Sequence, residues 1–162
     1  MTTQERPFDR ARTKMVAARI EFIGQLAKFS KDELSKAPAE GEWSPLELAH
    51  HLYVADGLAL EQMRLVQEED NPLIAAVEKE APRRTRASER PASLESVMAG
   101  MAARREEIFA YLSQLPDEAW ERPFRHHLWG QGKFYQLVNV LPRHDQQHSR
   151  QLADIKEPAN RG

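Results

Sequence analysis

Residues 134–155 read FYQLVNVLPRHDQQHSRQLADI, and the spacing inside that stretch decides the fold. Phe134, Leu137, Leu141, His144, His148, Leu152 and Ile155 recur at steps of three and four, which places them along one stripe of an α-helix. The stripe is apolar except at two positions, so two imidazoles stand where core side chains belong. A helix is predicted from Lys133 to Ile155. Pro142 falls inside it, two residues before His144, and a residue without an N–H should kink the helix or restart it there.

Upstream, the same period recurs in three more segments, and no sustained alternation of period two appears anywhere. Met15, Ala18, Phe22, Leu26 and Phe29 line a helix from about Asp9 to Phe29, after which Ser30 and Glu33 have the spacing of a capping box. Ser44, Pro45 and Glu47 give the clearest start signal, an N-cap, a proline at the first helical position and an acid three residues on. That helix should run to about Glu68, ahead of Asp70, Asn71 and Pro72. Ser93 can cap another, in which Leu94, Val97, Met98, Met101, Ile108, Leu112 and Leu115 repeat up to Pro116. Between them, residues 70–92 carry Pro72, Pro82 and Pro91 with Arg83, Arg84, Arg86 and Arg90, the composition of a solvated connection, with a short helix at Leu73–Glu80. A link of this length suits a crossover along a bundle rather than a turn between neighbours. Trp43, Trp120 and Trp129 flank helix ends as core lids or pocket walls. The expected architecture is all-α, four long helices in one domain over 1–162, ordered from about 8 to 156 with short terminal tails.

Composition narrows the function. With 162 residues the chain is long enough to bury a core without disulfides, and it has no cysteine. Thiolate zinc sites, iron–sulfur clusters and a thiol nucleophile are therefore excluded, and any metal must be held by His, Asp or Glu. The 23 basic and 25 acidic side chains leave a net charge of -2, without the positive field that holds nucleic acid. Met1 to Arg12 interleaves charges and contains no apolar signal segment, and no run reaches the roughly 20 apolar residues of a membrane span. The chain is expected in the cytoplasm, with neither a nucleic acid nor a membrane as partner.

Histidines four apart on a helix lie one above the other, so both rings can reach one ion with metal–nitrogen bonds of about 2.0–2.1 Å. His51, on a face with Leu48, Val54, Ala55 and Leu58, supplies a third imidazole for His144 and His148. Three buried imidazoles need partners, and one divalent cation satisfies all three. Glu47 and Gln151, each one turn from a histidine, are placed to steady the ligands or meet a polar group of a substrate. His50 points about 100° away from His51, as neighbours on a helix do. His126 and His127, beside Arg125, read as surface residues. No residue is assigned a catalytic role from the sequence.

The segments Trp43-Ser44-Pro45-Leu46-Glu47-Leu48-Ala49-His50-His51-Leu52 and His144-Asp145-Gln146-Gln147-His148-Ser149-Arg150-Gln151-Leu152 resemble the two signature helices of the DinB/YfiT-like superfamily. The resemblance implies a four-helix bundle of up-down-down-up connectivity, with a long crossover between the second and third helices and a metal held by His51, His144 and His148. Members are described as metal-dependent enzymes, among them thiol S-transferases that use bacillithiol or mycothiol and a mycothiol-dependent maleylpyruvate isomerase. The expected cofactor is a divalent transition metal, zinc or nickel first, with iron, manganese, cobalt or copper also able to accept imidazoles. The expected activity, on a small-molecule substrate, is hydrolysis or transfer of a low-molecular-weight thiol, which this cysteine-free chain would have to take up as a small cofactor. The competing reading is a helical interaction module, metal-bound or metal-free, without turnover. A homodimer is compatible with either.

Overall fold

A computed structural model of the chain describes residues 5–91 and 93–157, so the expected tails at 1–4 and 158–162 lie outside the described residues. The elements in order are helix α1 (Pro7–Leu26), α2 (Lys31–Leu34), α3 (Pro45–Glu68), strand β1 (Leu73–Ile74), α4 (Val77–Ala87), α5 (Leu94–Ser113), a 3-10 turn (Asp117–Glu121), β2 (Pro123–His126), β3 (Gly130–Lys133), α6 (Phe134–Val138) and α7 (Val140–Lys156). The caps sit where serine spacing puts them. Ser44 Oγ accepts the Glu47 N–H and Glu47 Oε1 accepts the Ser44 N–H, both at 3.2 Å. Ser30 with Glu33 and Ser93 with Ser96 close reciprocal pairs of the same kind. Each satisfies N–H groups that have no partner inside the helix.

Helices α1, α3, α5 and α7 form a four-helix bundle, and the composition of its two apolar clusters gives the chain direction. One cluster joins the start of α1 (Phe8, Met15), the end of α3 (Met63, Val66), the end of α5 (Ile108, Leu112) and the start of α7 (Leu141). The other joins the end of α1 (Phe22, Leu26), the starts of α3 (Leu48, Leu52) and α5 (Val97, Met101), and the end of α7 (Leu152). Helices α1 and α7 therefore run one way and α3 and α5 the other, which is up-down-down-up. Such an order obliges residues 69–93 to carry the chain back along the bundle. They do so partly as α4, which packs Val77 and Ala81 on Ala55 and Leu58 of α3. Among the described residues no helix is long and apolar enough to cross a membrane.

Four expectations are corrected. The last helix is not continuous from 133 to 155. Pro142 has no N–H for the Val138 carbonyl, the α6 turn closes through Asn139 N–H to Tyr135 O at 3.1 Å, and α7 starts afresh at Val140. The short helix of the crossover lies at Val77–Ala87 rather than Leu73–Glu80, because Leu73–Ile74 pairs in parallel with Arg125–His126. That pairing belongs to a three-stranded sheet, β1-β2-β3, which the sequence did not announce. Strands of two to four residues are too short to display a period. The first helix ends at Leu26, not Phe29. Arg83 and Arg84 do stay at the surface as expected, though on α4, paired with Glu80 and Glu61.

Candidate metal centre

His51 comes from the second turn of α3, and His144 and His148 from the middle of α7. Restarting the helix after the break leaves both α7 rings facing inward. His51 Nε2 lies 3.3 Å from His144 Nε2, which lies 2.9 Å from His148 Nε2. One nitrogen from each of the three lies within 4.8 Å of the others, and all three residues are buried. Ligands at about 2.05 Å from a tetrahedral ion stand roughly 3.3 Å apart, which is the scale of this cluster.

The outer nitrogens explain why the inner ones are free. Thr85 Oγ1 spends its proton on the Ala81 carbonyl at 2.7 Å, so it can only accept from His51 Nδ1, 3.0 Å away. Gln151 Oε1 accepts from His148 Nδ1 at 2.8 Å. Both rings thus carry their proton on Nδ1 and present an Nε2 lone pair to the centre. His144 Nδ1 is buried without a hydrogen-bond partner among the described residues, so packing orients that ring. Burial, reinforced by the neighbouring imidazoles, pushes His51 and His144 down to about 3, and burial lowers His148 as well. His51 and His144 are therefore neutral throughout the ordinary pH range, and His148 takes up a proton less readily than a free imidazole. Two lone pairs converging on the third ring's Nε2 fit a divalent cation in chemistry and in spacing.

Glu47 does not join the rings. Its carboxylate is engaged by the cap of α3, whereas Gln151 stands against His148 as its spacing implied. His50 turns away and places Nε2 2.7 Å from Ser88 Oγ. His126 corrects an expectation: it is buried, not a surface residue. Its Nδ1 accepts the Leu128 and Trp129 N–H groups at 3.1 and 3.3 Å, and Trp129 stacks on its ring at 4.0 Å. The hairpin loop needs that acceptor, and no local spacing reveals it. Trp43 packs on His51 with ring centroids 4.6 Å apart. Trp129 and Glu78 share with His144 and Gln147 the wall of a cavity of about 220 Å3.

Directly below the histidines, one residue from each bundle helix forms a buried layer of charge that the sequence reading missed. Arg19 Nη2 donates to Asp56 Oδ2 at 2.9 Å and to Asp145 Oδ1 at 3.1 Å, and Arg19 Nε donates to Asp145 Oδ2 at 3.2 Å. Arg105 Nη2 reaches Asp56 Oδ2 and Asp145 Oδ2, both at 3.2 Å. Two guanidinium groups balance two carboxylates, all nearly inaccessible to water. Asp145 adjoins His144 in the chain, so the layer fixes the height of α7 against α3 and with it the register of the imidazoles.

Residues 10–152 match the family described as the DinB superfamily. YuaE, an uncharacterised protein of Bacillus subtilis, is 25% identical over 155 residues, covering 89% of this chain and 96% of that one. Among solved structures, YfiT from Bacillus subtilis, described as "a probable metal-dependent hydrolase with an unusual four-helix bundle topology", aligns with a TM-score of 0.76 at 14% identity over 94% of this chain and 87% of its own. A mycothiol-dependent maleylpyruvate isomerase aligns with a TM-score of 0.70 at 14% identity, over 94% of this chain and 63% of the isomerase.

Proposed function

Since the chain belongs to the DinB superfamily, we propose that it is a metal-dependent enzyme with one divalent ion, zinc or nickel first, held by the Nε2 atoms of His51, His144 and His148. The observation that carries this reading is the convergence of those nitrogens with the outer protons of two rings committed to Thr85 and Gln151. A bound metal of this kind supplies Lewis acidity, which serves hydrolysis and the transfer of a small thiol alike. The protein's own contributions are separable. Thr85 and Gln151 hold the ligand tautomers, Trp43 excludes water from one side of His51, and the cavity beside His144 admits a small substrate between Trp129 and Gln147. Both reactions use this same arrangement. In the structures compared, the hydrolase description belongs to YfiT and the thiol dependence to the isomerase.

The test is metal content. Purified wild type should carry close to one equivalent of divalent metal, His144→Ala and His148→Ala should carry almost none, and His50→Ala should keep it. At a hundredfold excess of metal over Kd the native state gains about 2.7 kcal/mol, so chelation should lower Tm by roughly 5–11 °C for a chain of this size. A wild type that takes up no metal from zinc or nickel titration would refute the assignment.

The partner we propose is a second copy of the chain. The exposed Val16 and Ile20 side chains of α1 supply an apolar surface for it. Sedimentation should then find a dimer for wild type and a monomer for Ile20→Glu, and a monomeric wild type rules the dimer out.

A further inference from the structure

At a place that none of the three histidines lines, the start of α1 meets α6 and the 3-10 turn around a cavity of about 490 Å3. That volume is in the range of small-molecule sites. Its chemistry is out of keeping with a chain of net charge -2. Arg10 and Lys14, one turn apart on α1, and Lys133, at the end of β3, all line it, against a single carboxylate, Glu121. Glu121 is already matched, to Lys133 Nζ at 2.9 Å. The side chains of Arg10 and Lys14 have no anionic partner among the described residues, so the cavity keeps two uncompensated positive charges. Like charges on adjacent turns repel, and a local excess of this kind is relieved when an anion binds.

The walls specify more than charge. Tyr135 is 40% exposed and lines the cavity, while the buried Trp120, edge-on to Phe134 at 5.5 Å, backs it. Asn139, at the break between α6 and α7, adds a side-chain amide that can donate to an oxygen. Lys14 and Asn139 also line a second depression with Arg143, so positive charge continues beyond the cavity mouth.

We propose that this cavity is a second binding site, separate from the three-histidine centre, for a small phosphorylated molecule bearing a flat ring. The phosphate meets Arg10 and Lys14, and the ring lies against Tyr135. A dianion matches the two unpaired cations, and charge-assisted hydrogen bonds to a phosphate are the strongest contacts these side chains can make.

Isothermal titration of the full chain with adenosine 5′-monophosphate, adenosine and inorganic phosphate tests it. The monophosphate should bind saturably with one site per chain and at least about tenfold more tightly than adenosine. The Arg10→Ala, Lys14→Ala double variant should weaken it by at least about tenfold, and Lys14→Glu should do so alone. Both positions are exposed, so an unchanged Tm for these variants establishes that they fold. His148→Ala should bind the monophosphate as wild type does. No saturable heat from either phosphate probe, or full affinity in the double variant, overturns the proposal. Loss of binding in His148→Ala would move the anion to the histidine centre and also overturn it. A single-stranded 20-nucleotide DNA that binds more tightly than the monophosphate would assign the groove to a polymer instead.

Discussion

Replacing Asp56 by alanine should cost the fold about 3–5 kcal/mol, as breaking a buried ion pair does when the other partner stays behind. Asp56 accepts from both Arg19 and Arg105, each nearly sealed from water. Without it two guanidinium groups share the single carboxylate of Asp145 in the centre of the bundle, and that surplus charge has no route to solvent. For a domain whose whole margin is of order 5–15 kcal/mol, the variant should be at the edge of folding. Urea or guanidinium unfolding measures the loss. A second variant keeps the test sharp: exchanging all four residues, Arg19→Met, Asp56→Leu, Arg105→Met and Asp145→Leu, should fall within about 2 kcal/mol of wild type, because an apolar layer of similar volume needs no desolvated charge. If Asp56→Ala alone is tolerated within about 1 kcal/mol, the layer does not hold the bundle as described.

The second large effect is on acid stability. The folded protein keeps His51 and His144 neutral down to about pH 3, and His148 neutral below its ordinary range, while the unfolded chain takes up protons at about 6.5. The unfolded state therefore binds more protons below pH 6.5, and acid favours it. Stability from this source is complete above pH 6.5 and is lost as pH falls toward 3. The slope is about 1.4 kcal/mol per pH unit for each imidazole, about 2.7 for His51 and His144 together. Two units of acidification thus remove roughly 5 kcal/mol, enough to unfold many small domains. Denaturant midpoints of the metal-stripped protein from pH 7.5 to 4.5 check it. His144→Gln should halve the slope, and a flat profile below pH 6.5 would contradict buried neutral rings.

The long helices were legible because their signals are local. Ser44 and Ser93 announce starts, apolar steps of three and four mark inward faces, and His51, His144 and His148 interrupt stripes that are otherwise apolar. The charged layer was not legible for the same reason. Arg19 and Arg105 look like solvent-facing residues until the folded structure shows that they face each other's acids. A gap in the apolar repeat between Met101 and Ile108 was the available hint, since Arg105 falls where the repeat wants a core residue. Thr85 was hidden further, because it lies in a segment rich in proline and arginine that reads as a connection, and its tie to His51 spans 34 residues. In the sheet, residues 73–74 pair with 125–126, 52 positions away, which leaves no trace in either segment alone, and the hairpin that joins β2 to β3 has strands of four residues, too short to display a period.

The charged layer also sets an order of events while the chain is being made. Asp145 is contributed by the last of the four bundle helices, so a ribosome-bound chain that has released α1, α3 and α5 holds Arg19, Asp56 and Arg105 without the fourth member. At elongation rates of about 5–20 residues per second, the 40 positions from Arg105 to Asp145 take roughly 2 to 8 seconds to add. Packing the three earlier helices during that interval would enclose an excess positive charge, which disfavours a premature collapse that would have to be undone. The same helix brings His144 and His148, so the nascent chain has neither a balanced core nor the three-histidine cluster until α7 emerges, and both are completed in one step.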